Sequence, residues 1–539
     1  MLYFTPPLIA FAFLRADTRF AVINKARVVS TTYGPAAVRH QHTHMKAIIL
    51  AENDNRTLRP LNSRKPGALI KINGIPLLEH QIRGYLKAGV AEGSITVVSG
   101  YRHNAIKRFL LRAYPAVHLV KNSSYRSKNV ARSLHLALQT AEFDGVDLMV
   151  SSGDCIYNDH LIKTLLWSNT NAVAGDTVRS GGEAILVQDG RFVRVGASIA
   201  TEEAAAVSAD LYRLNARAVP ALRRVVATRT IEKDMSMATV LNDLVMTVQF
   251  TLVDAAGSNW TAIRSMDDLH DADKRFSRFN LSETHCFVLD LDGTVYVGGR
   301  PISGTVEFIE RNARKKAFYF VTNNTSRLPE DYRLRLNAMG IAIDTDHVIT
   351  PLAPLIEYLR AHSIQNVYLL GNIRLEAYLR QALPELTLTA DPDVCEALIV
   401  AYDTELTYDK LRDAAVLLQK NPRLPFLATH GDIVCPTENG FVPDCGCILS
   451  VLEQTTGRRP DVVFGKPSAR LVEPATDLYG RDRMAIVGDR LYTDGEMARN
   501  VACSFVCVLS GETTREQIDD LGEDKFPALI VKDLGDLFK

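Results

Sequence analysis

Asp290 and Asp292 stand two residues apart directly after the apolar run Cys286-Phe287-Val288-Leu289, and Gly293 and Thr294 follow them. A carboxylate at the carboxyl end of a buried strand, where open α/β sheets place their ligands, can attack phosphorus. A second carboxylate two residues on can protonate the departing alkoxide, then take a proton from the water that hydrolyses the intermediate. Gly293 permits the tight turn that brings both into one site. Three further segments supply what such a transfer needs. Phe320-Val321-Thr322-Asn323-Asn324 ends another apolar run, and the Thr322 hydroxyl with neighbouring backbone N–H groups can hold phosphoryl oxygens. Phe464-Gly465-Lys466-Pro467 offers an ammonium to balance the nucleophile and the phosphate. The stretch Ile486-Val487-Gly488-Asp489-Arg490-Leu491-Tyr492-Thr493-Asp494 offers carboxylates for the oxygen shell of Mg2+, which binds protein through few carboxylates plus the substrate phosphate. Singly each segment is a weak signal, since a D-x-D-G-T after a strand can be a solvated loop. All four in order, each at the end of a buried strand, point to phosphoryl transfer through an aspartyl-phosphate on Asp290.

The elements that must position these residues read as two α/β blocks in a chain of 539 residues, too long for one hydrophobic core. In the first block, residues 45–275, strands are predicted at 46–50, 94–99, 147–151 and 247–253, with helices at 76–88 and 127–141. Residues 276–283 read as a linker. In the second block strands are predicted at 286–290, 317–321, 367–370, 396–401, 425–428 and 484–487. Residues 1–44 read as a disordered or non-native leader: the apolar stretch from Leu2 to Leu14 is short, is broken by Pro6 and Pro7, and lacks a basic lead. The alternation of His40, His42 and His44 lacks partner ligands for a metal. Lys+Arg and Asp+Glu both total 62, so no global charge argues for nucleic acid or an anionic membrane. No segment reaches the length of a membrane span. The eight cysteines show no four-ligand zinc spacing, and reduced thiols in a cytoplasmic protein are the simplest reading. Asp444-Cys445-Gly446-Cys447 reads as a turn.

The four motifs resemble those of the haloacid dehalogenase superfamily, and their spacing resembles its class IIA, C2-capped phosphatases over residues 283–535. Also similar are the run from Thr322 to Ser326, the segment Leu406-Thr407-Tyr408-Asp409-Lys410-Leu411, and the stretch from Ala428 to Gly440. The resemblance implies Asp290 as nucleophile, Asp292 as acid/base, Thr322, Asn323 and Asn324 on the phosphate, and Lys466 for charge balance. It implies a Mg2+ site built from Asp290, Asp292 (through its main-chain carbonyl) and Asp489, with Asp494 supporting the metal's waters. It also implies a Rossmann-like core at 284–352 and 458–539 interrupted by an α/β cap at 353–457, which closes over the substrate and excludes water. The cap loop with His430 and Asp432 is the candidate for contacting the leaving group, against the plainer reading of a cap-surface loop. Dimerisation through the cap is a further expectation by analogy.

The first block resembles sugar-phosphate and phosphocholine nucleotidyltransferases of GT-A, Rossmann-like fold. The resemblance rests on Lys46-Ala47-Ile48-Ile49-Leu50-Ala51, Leu58-Arg59-Pro60-Leu61, the stretch from Ile72 to Glu79, the segment from Asn122 to Tyr125 with Asn129, Ser133 and Leu134, and the ending from Ile263 to Leu269. Such enzymes carry A-A-G-x-G-x-R, whose backbone approaches a triphosphate. Here that loop reads Ala51-Glu52-Asn53-Asp54-Asn55-Arg56-Thr57, so both glycines are Asn and the arginine is Thr57. The lysine after proline is Gly67, with Lys65 or Arg56 as candidate replacements. One metal carboxylate survives as Asp154, and the other falls on Arg264. Each lost electrostatic element costs ~3 kcal/mol of transition-state stabilisation, so the block is expected to be catalytically dead. The expected function is a Mg2+-dependent phosphomonoesterase acting on a small phosphate ester of the polyol or sugar class. Two alternatives are a bifunctional cytidylyltransferase and phosphatase, and a metabolite-binding scaffold.

Overall fold

A computed structural model describes residues 45–538 apart from 141–142, 180, 258–259 and 438–439. The leader at 1–44, with its three histidines, and part of the cap stretch near Glu438 and Asn439 lie outside the described residues. Near-continuous apolar runs dictate strands covered on both faces. Met45–Ala51 is such a run, and it lies between the parallel strands Ile95–Ser99 and Asp147–Ser152 in a nine-stranded mixed sheet. His118–Lys121 extends the parallel side, while Ala206–Leu214 runs antiparallel to Asp147–Ser152. Amphipathic helices at Leu77–Lys87 and Val130–Thr140 cover the sheet, close to the predicted spans. The strand predicted at 247–253 is shorter, Thr251–Asp254, because Thr247 and Val248 donate their N–H groups back to the Leu244 carbonyl and prolong the preceding helix's final turn.

The second half contains two parallel sheets. The first has six strands in the order Val348–Ile349, Ala317–Val321, Cys286–Asp290, Met484–Gly488, Ser504–Val508 and Leu529–Val531. The strand that comes first in the chain is therefore central, and the crevice at its carboxyl end is a topological switch point. Its alternate residues feed two cores: Phe287 and Leu289 join Phe308 and Phe318 on one face, while Cys286 and Val288 join Leu471 and Ile486 on the other. The second sheet has five strands, Thr387–Leu388, Asn366–Leu370, Ala397–Val400, Phe426–Ala428 and Val462–Val463. It lies between the first-sheet strands in sequence, as an inserted cap would.

Two expectations change here. The cap sheet extends beyond residue 457, because Val462 and Val463 pair with Leu427 and Ala428. Gly457, with φ +70, ends the helix Cys445–Thr456 and imitates a boundary that the return strand then crosses. Asp444-Cys445-Gly446-Cys447 is the start of that helix rather than a turn, and the Asp444 side chain caps it by accepting from the Cys445 N–H at 2.6 Å. Among the described residues no helix is long and apolar enough to cross a membrane. Phe287 is fully buried and stacks on Phe318 with ring centroids 5.5 Å apart. Phe287→Ala should therefore destabilise the second half by about 3–5 kcal/mol, read as a lower midpoint in urea unfolding followed by circular dichroism.

Candidate functional site

Asp290 closes the central strand, and the chain turns immediately: the Val295 and Tyr296 N–H groups both donate to the Leu291 carbonyl. Gly293 makes the turn at φ +93, where a Cβ would lie 2.6 Å from Asp489 Oδ2, so both conformation and space require glycine. The neighbouring strand ends in Thr322, Asn323 and Asn324. Asn323 stitches core to cap: its Oδ1 accepts from the Lys466 N–H at 2.7 Å, and its Nδ2 donates to the Lys466 carbonyl and the Asp432 carboxylate. Lys466 is thereby held with its ammonium donating to Asp290 and, at 2.8 Å, to Asp494. Burial alone would lower the Lys466 pKa, but Asp290 and Asp494 outweigh it and the ammonium is held charged.

Carboxylate oxygens of Asp290, Asp489 and Asp494 all lie within 4.8 Å of one another, and all three residues are buried. Only Lys466 bonds within this group, with the Arg490 guanidinium as the next positive charge acting on Asp489 and Asp494. Asp489 Oδ2 accepts from the Glu512 N–H at 2.6 Å, while its buried Oδ1 has no hydrogen-bond partner. Burial first, and then the Asp290 and Asp494 charges, push the Asp489 carboxyl up to about 8. A buried, oxygen-only cluster whose acids resist ionising beside one another, with an orphaned oxygen, fits a hard divalent cation. The Asp292 side chain lies outside this trio, and burial followed by the Asp290 charge raises it to about 6. A carboxyl poised there can both give and take a proton near neutrality.

A cavity of about 980 Å³ adjoins the cluster, lined by Asp292, Asp489 and Asn324 of the core and by Tyr402 and Cys435 of the cap, while Asp290, Thr322, Lys466 and Asp494 are not among its lining residues. Arg327, Arg335, Arg490 and Glu512 also face it. Sequence reasoning missed these four, although Arg490 directly follows Asp489 and Arg327 directly follows the Thr322 to Ser326 run. Arg490 is held by Glu512 at 3.0 Å and lies 3.6 Å from Asp432. His430 and Asp432, the expected leaving-group contacts, do not line this cavity. His430 is fully buried, its ring 3.5 Å from Asp444 and 3.9 Å from Asp432. The stitch through Asn323 draws that cap loop down onto the core, which takes it away from the lining.

Residues 287–382 match the model of the haloacid dehalogenase-like hydrolases, and residues 463–537 match that of the HAD-hydrolase-like proteins. An acid sugar phosphatase of Staphylococcus saprophyticus is 33% identical over 258 residues, 47% of this chain and 96% of that protein. The 5'-nucleotidase YutF of Bacillus subtilis is 32% identical over 43% of this chain and 90% of its own length. A crystal structure of 4-nitrophenylphosphatase from Thermotoga maritima is 35% identical, covers 48% of this chain and 97% of its own, and has a TM-score of 0.44. The chain belongs to the haloacid dehalogenase-like hydrolases. This hydrolase acts on phosphate monoesters, and its relatives place it in class IIA of the family.

The first half of the hydrolase brings three of its four predicted nucleotidyl-site residues together. The Asp154 carbonyl accepts from the Ile263 N–H at 2.8 Å, next to Arg264. Thr57 donates to the Arg264 carbonyl, and Asn55 Nδ2 donates to the Ile263 carbonyl at 3.1 Å, so the altered loop lies against the 263–264 segment. The Arg264 guanidinium pairs with Asp210 at 2.6 Å. Burial would lower Arg264, but Asp210 first, with Asp154 and Glu183 among the other contributors, raises it. Glu52 is buried on Ser133 Oγ at 2.7 Å, and burial pushes it up to about 7. Gly67 sits apart in a 3-10 turn with Leu58 as its neighbour. Of the two candidate replacements for the lost lysine, Lys65 pairs with Asp519 and Asp520 of the second half, and Arg56 pairs with Asp54.

In the hydrolase site, a Cβ on Gly511 would lie 1.9 Å from Asp489 Oδ2. Gly511→Ala should displace that carboxylate and reduce turnover on any phosphate ester on the order of 10²-fold while the protein stays folded, checked by steady-state kinetics beside a circular-dichroism spectrum.

Proposed function

We propose that this hydrolase is a Mg2+-dependent phosphomonoesterase for small phosphate esters of the polyol or sugar class, working through an aspartyl-phosphate on Asp290. The observation that carries the reading is the Lys466 ammonium between Asp290 and Asp494, beside an Asp489 oxygen with no partner. Mg2+ would be held by Asp290, Asp489 and the Asp292 carbonyl, with Asp494 behind them. When bound it would neutralise the phosphoryl oxygens and the nucleophile's repulsion of them.

The chain's own groups supply the remaining steps. An Asp290 oxygen attacks phosphorus, the bond from phosphorus to the leaving oxygen breaks, and the Asp292 carboxyl gives that oxygen its proton. Thr322 and the backbone N–H groups after it hold the equatorial oxygens, and Lys466 offsets their charge. Asp292, now a carboxylate, takes a proton from water as the water oxygen attacks phosphorus. The bond from phosphorus to the Asp290 oxygen breaks, its electron pair restores the Asp290 carboxylate, and inorganic phosphate leaves. Polar and aromatic groups in a 980 Å³ cavity suit a hydroxylated leaving group, and acid sugar phosphatases among the relatives support that class.

The first half is read as a nucleotidyltransferase-like domain without transferase activity. Its strand order around Met45–Ala51 and the residues gathered near Asp154 support the likeness. The Arg264 guanidinium among Asp210, Asp154 and Glu183, and the carboxylate of Glu52 where phosphates would lie, support the loss of metal and triphosphate binding.

Three outcomes follow. Phosphate release from a panel of polyol and sugar phosphates should fall at least ~10³-fold in Asp290→Asn, and equal release by both proteins would refute the assignment. Chelation with EDTA should abolish release and added Mg2+ should restore it, followed by the same phosphate assay. Incubation with CTP and an alcohol phosphate should yield no pyrophosphate, in wild type and in Asp154→Ala alike; pyrophosphate lost on that substitution would establish the bifunctional reading instead.

A further inference from the structure

One short segment, residues 509–520, runs from the carboxylate cluster to the first half of the chain and is bonded at both ends. At the cluster end the Glu512 N–H donates to Asp489 Oδ2 at 2.6 Å and the Thr513 N–H donates to the Asp489 carbonyl at 3.0 Å. Ser510 Oγ donates to the Gly293 carbonyl at 2.6 Å, tying the same loop to the turn after Asp290. Glu512 in turn holds Arg490 at the cavity wall. Thr514 then caps the helix Arg515–Asp520 through a reciprocal box with Gln517.

The far end is gripped by the other half of the molecule. Arg515 is only 5% exposed, and its Nε and Nη2 donate in bidentate fashion to Asp273 at 3.0 and 3.1 Å. Nη2 also reaches the Lys71 carbonyl at 2.6 Å, and Nη1 reaches Asp519 at 3.2 Å. Asp519 accepts from the Lys71 N–H at 2.7 Å and from the Lys65 ammonium. Arg515 keeps Asp519 of its own helix as a partner, whereas the buried Asp273 carboxylate has its ion pair with Arg515, so the helix cannot drift from Asp273 without leaving that carboxylate unpaired. Two residues separate Arg515 from Glu512, whose N–H fixes Asp489.

We propose that Arg515 is a positioning residue for the Asp489 loop and that the first half of the chain, through Asp273 and Lys71, holds the phosphatase metal site in register. The appended half then serves the hydrolase as a fixed brace whether or not it binds a ligand of its own. The inference rests on the reading of Asp489 as a Mg2+ ligand, and its test separates the two.

The whole chain carrying Asp273→Asn or Arg515→Lys, two substitutions that break the bidentate ion pair but keep a polar side chain in place, is compared with wild type by amide hydrogen exchange and by Mg2+ titration of phosphate release. Exchange of the Glu512 and Thr513 amides should accelerate about tenfold or more, while the strand Ala317–Val321 keeps its protection. The Mg2+ concentration for half-maximal activity should rise about tenfold, as for other residues that orient metal ligands at one remove. Lys532→Ala breaks the exposed Lys532–Asp267 pair elsewhere in the same interface and should change neither quantity. Unchanged exchange at 512 and 513 in either folded variant would overturn the proposal, as would equal acceleration in Lys532→Ala. If wild type releases no phosphate from any ester, the functional reading fails, and the exchange pattern still decides whether the clamp exists.

Discussion

Three carboxylates held within 4.8 Å of one another in a buried crevice form the constraint around which the rest of this molecule is arranged. A pair of like charges at about 4 Å costs about 4 kcal/mol even at an effective dielectric constant near 20, so such a cluster survives only where surrounding structure enforces it. The enforcement is visible in covalent and hydrogen-bonded detail. Asp290 is fixed by a central strand with apolar packing on both faces, and Lys466 is presented by an Asn323 side chain that bonds its backbone at both N–H and carbonyl. Asp489 is pinned by the Glu512 N–H, in a space so tight that Gly293 and Gly511 have no room for a Cβ. Repulsion that would scatter these side chains in an open loop is contained in a rigid one.

The same constraint reaches into the cap and the appended half, neither of which contributes one of the three carboxylates. Asn323 joins the cap loop at Asp432 to the core, so closure of the lid and placement of Lys466 share a side chain. Arg515 joins the helix beyond Asp489 to Asp273 across the interface between halves. In the first half an analogous problem has a different solution. Asp154, Asp210 and Glu183 gather around Arg264, and a covalently attached guanidinium supplies the positive charge. Asp210 reaches that partner from a backbone at φ +54, inside a register shift of the strand Ala206–Leu214, a conformation that costs free energy and is retained where side-chain placement demands it.

Much of the fold was legible in the sequence because its strands are buried on both faces and therefore appear as uninterrupted apolar runs. Met45–Ala51, Cys286–Asp290, Ala317–Val321 and Met484–Gly488 stand within a residue or two of their expected bounds. The exceptions are short or locally capped: the strand Val462–Val463 has two residues and no periodicity to detect, and the helix beginning at Cys445 hides behind a sequence that resembles a turn. His430 carried a plausible chemical type in a plausible loop, yet its burial depends on how far the cap descends, which no local pattern encodes.

Residue types and spacing by themselves marked Asp290 and Asp292, Thr322, Lys466 and the loop from Asp489 to Asp494 as candidates, because each follows a strand and strand termini are local features. Tertiary structure alone decided which acids cluster, since Asp290, Asp489 and Asp494 meet only through strand order, and it alone showed Arg327, Arg335 and Glu512 on the cavity wall. It also decided the fate of Lys65, which a local reading assigns to a nucleotide and the interface assigns to Asp519, 454 residues away. The physical reason is one of range: backbone conformation and strand burial follow from near neighbours, whereas ion pairing and cavity shape depend on side chains that only the folded chain brings together.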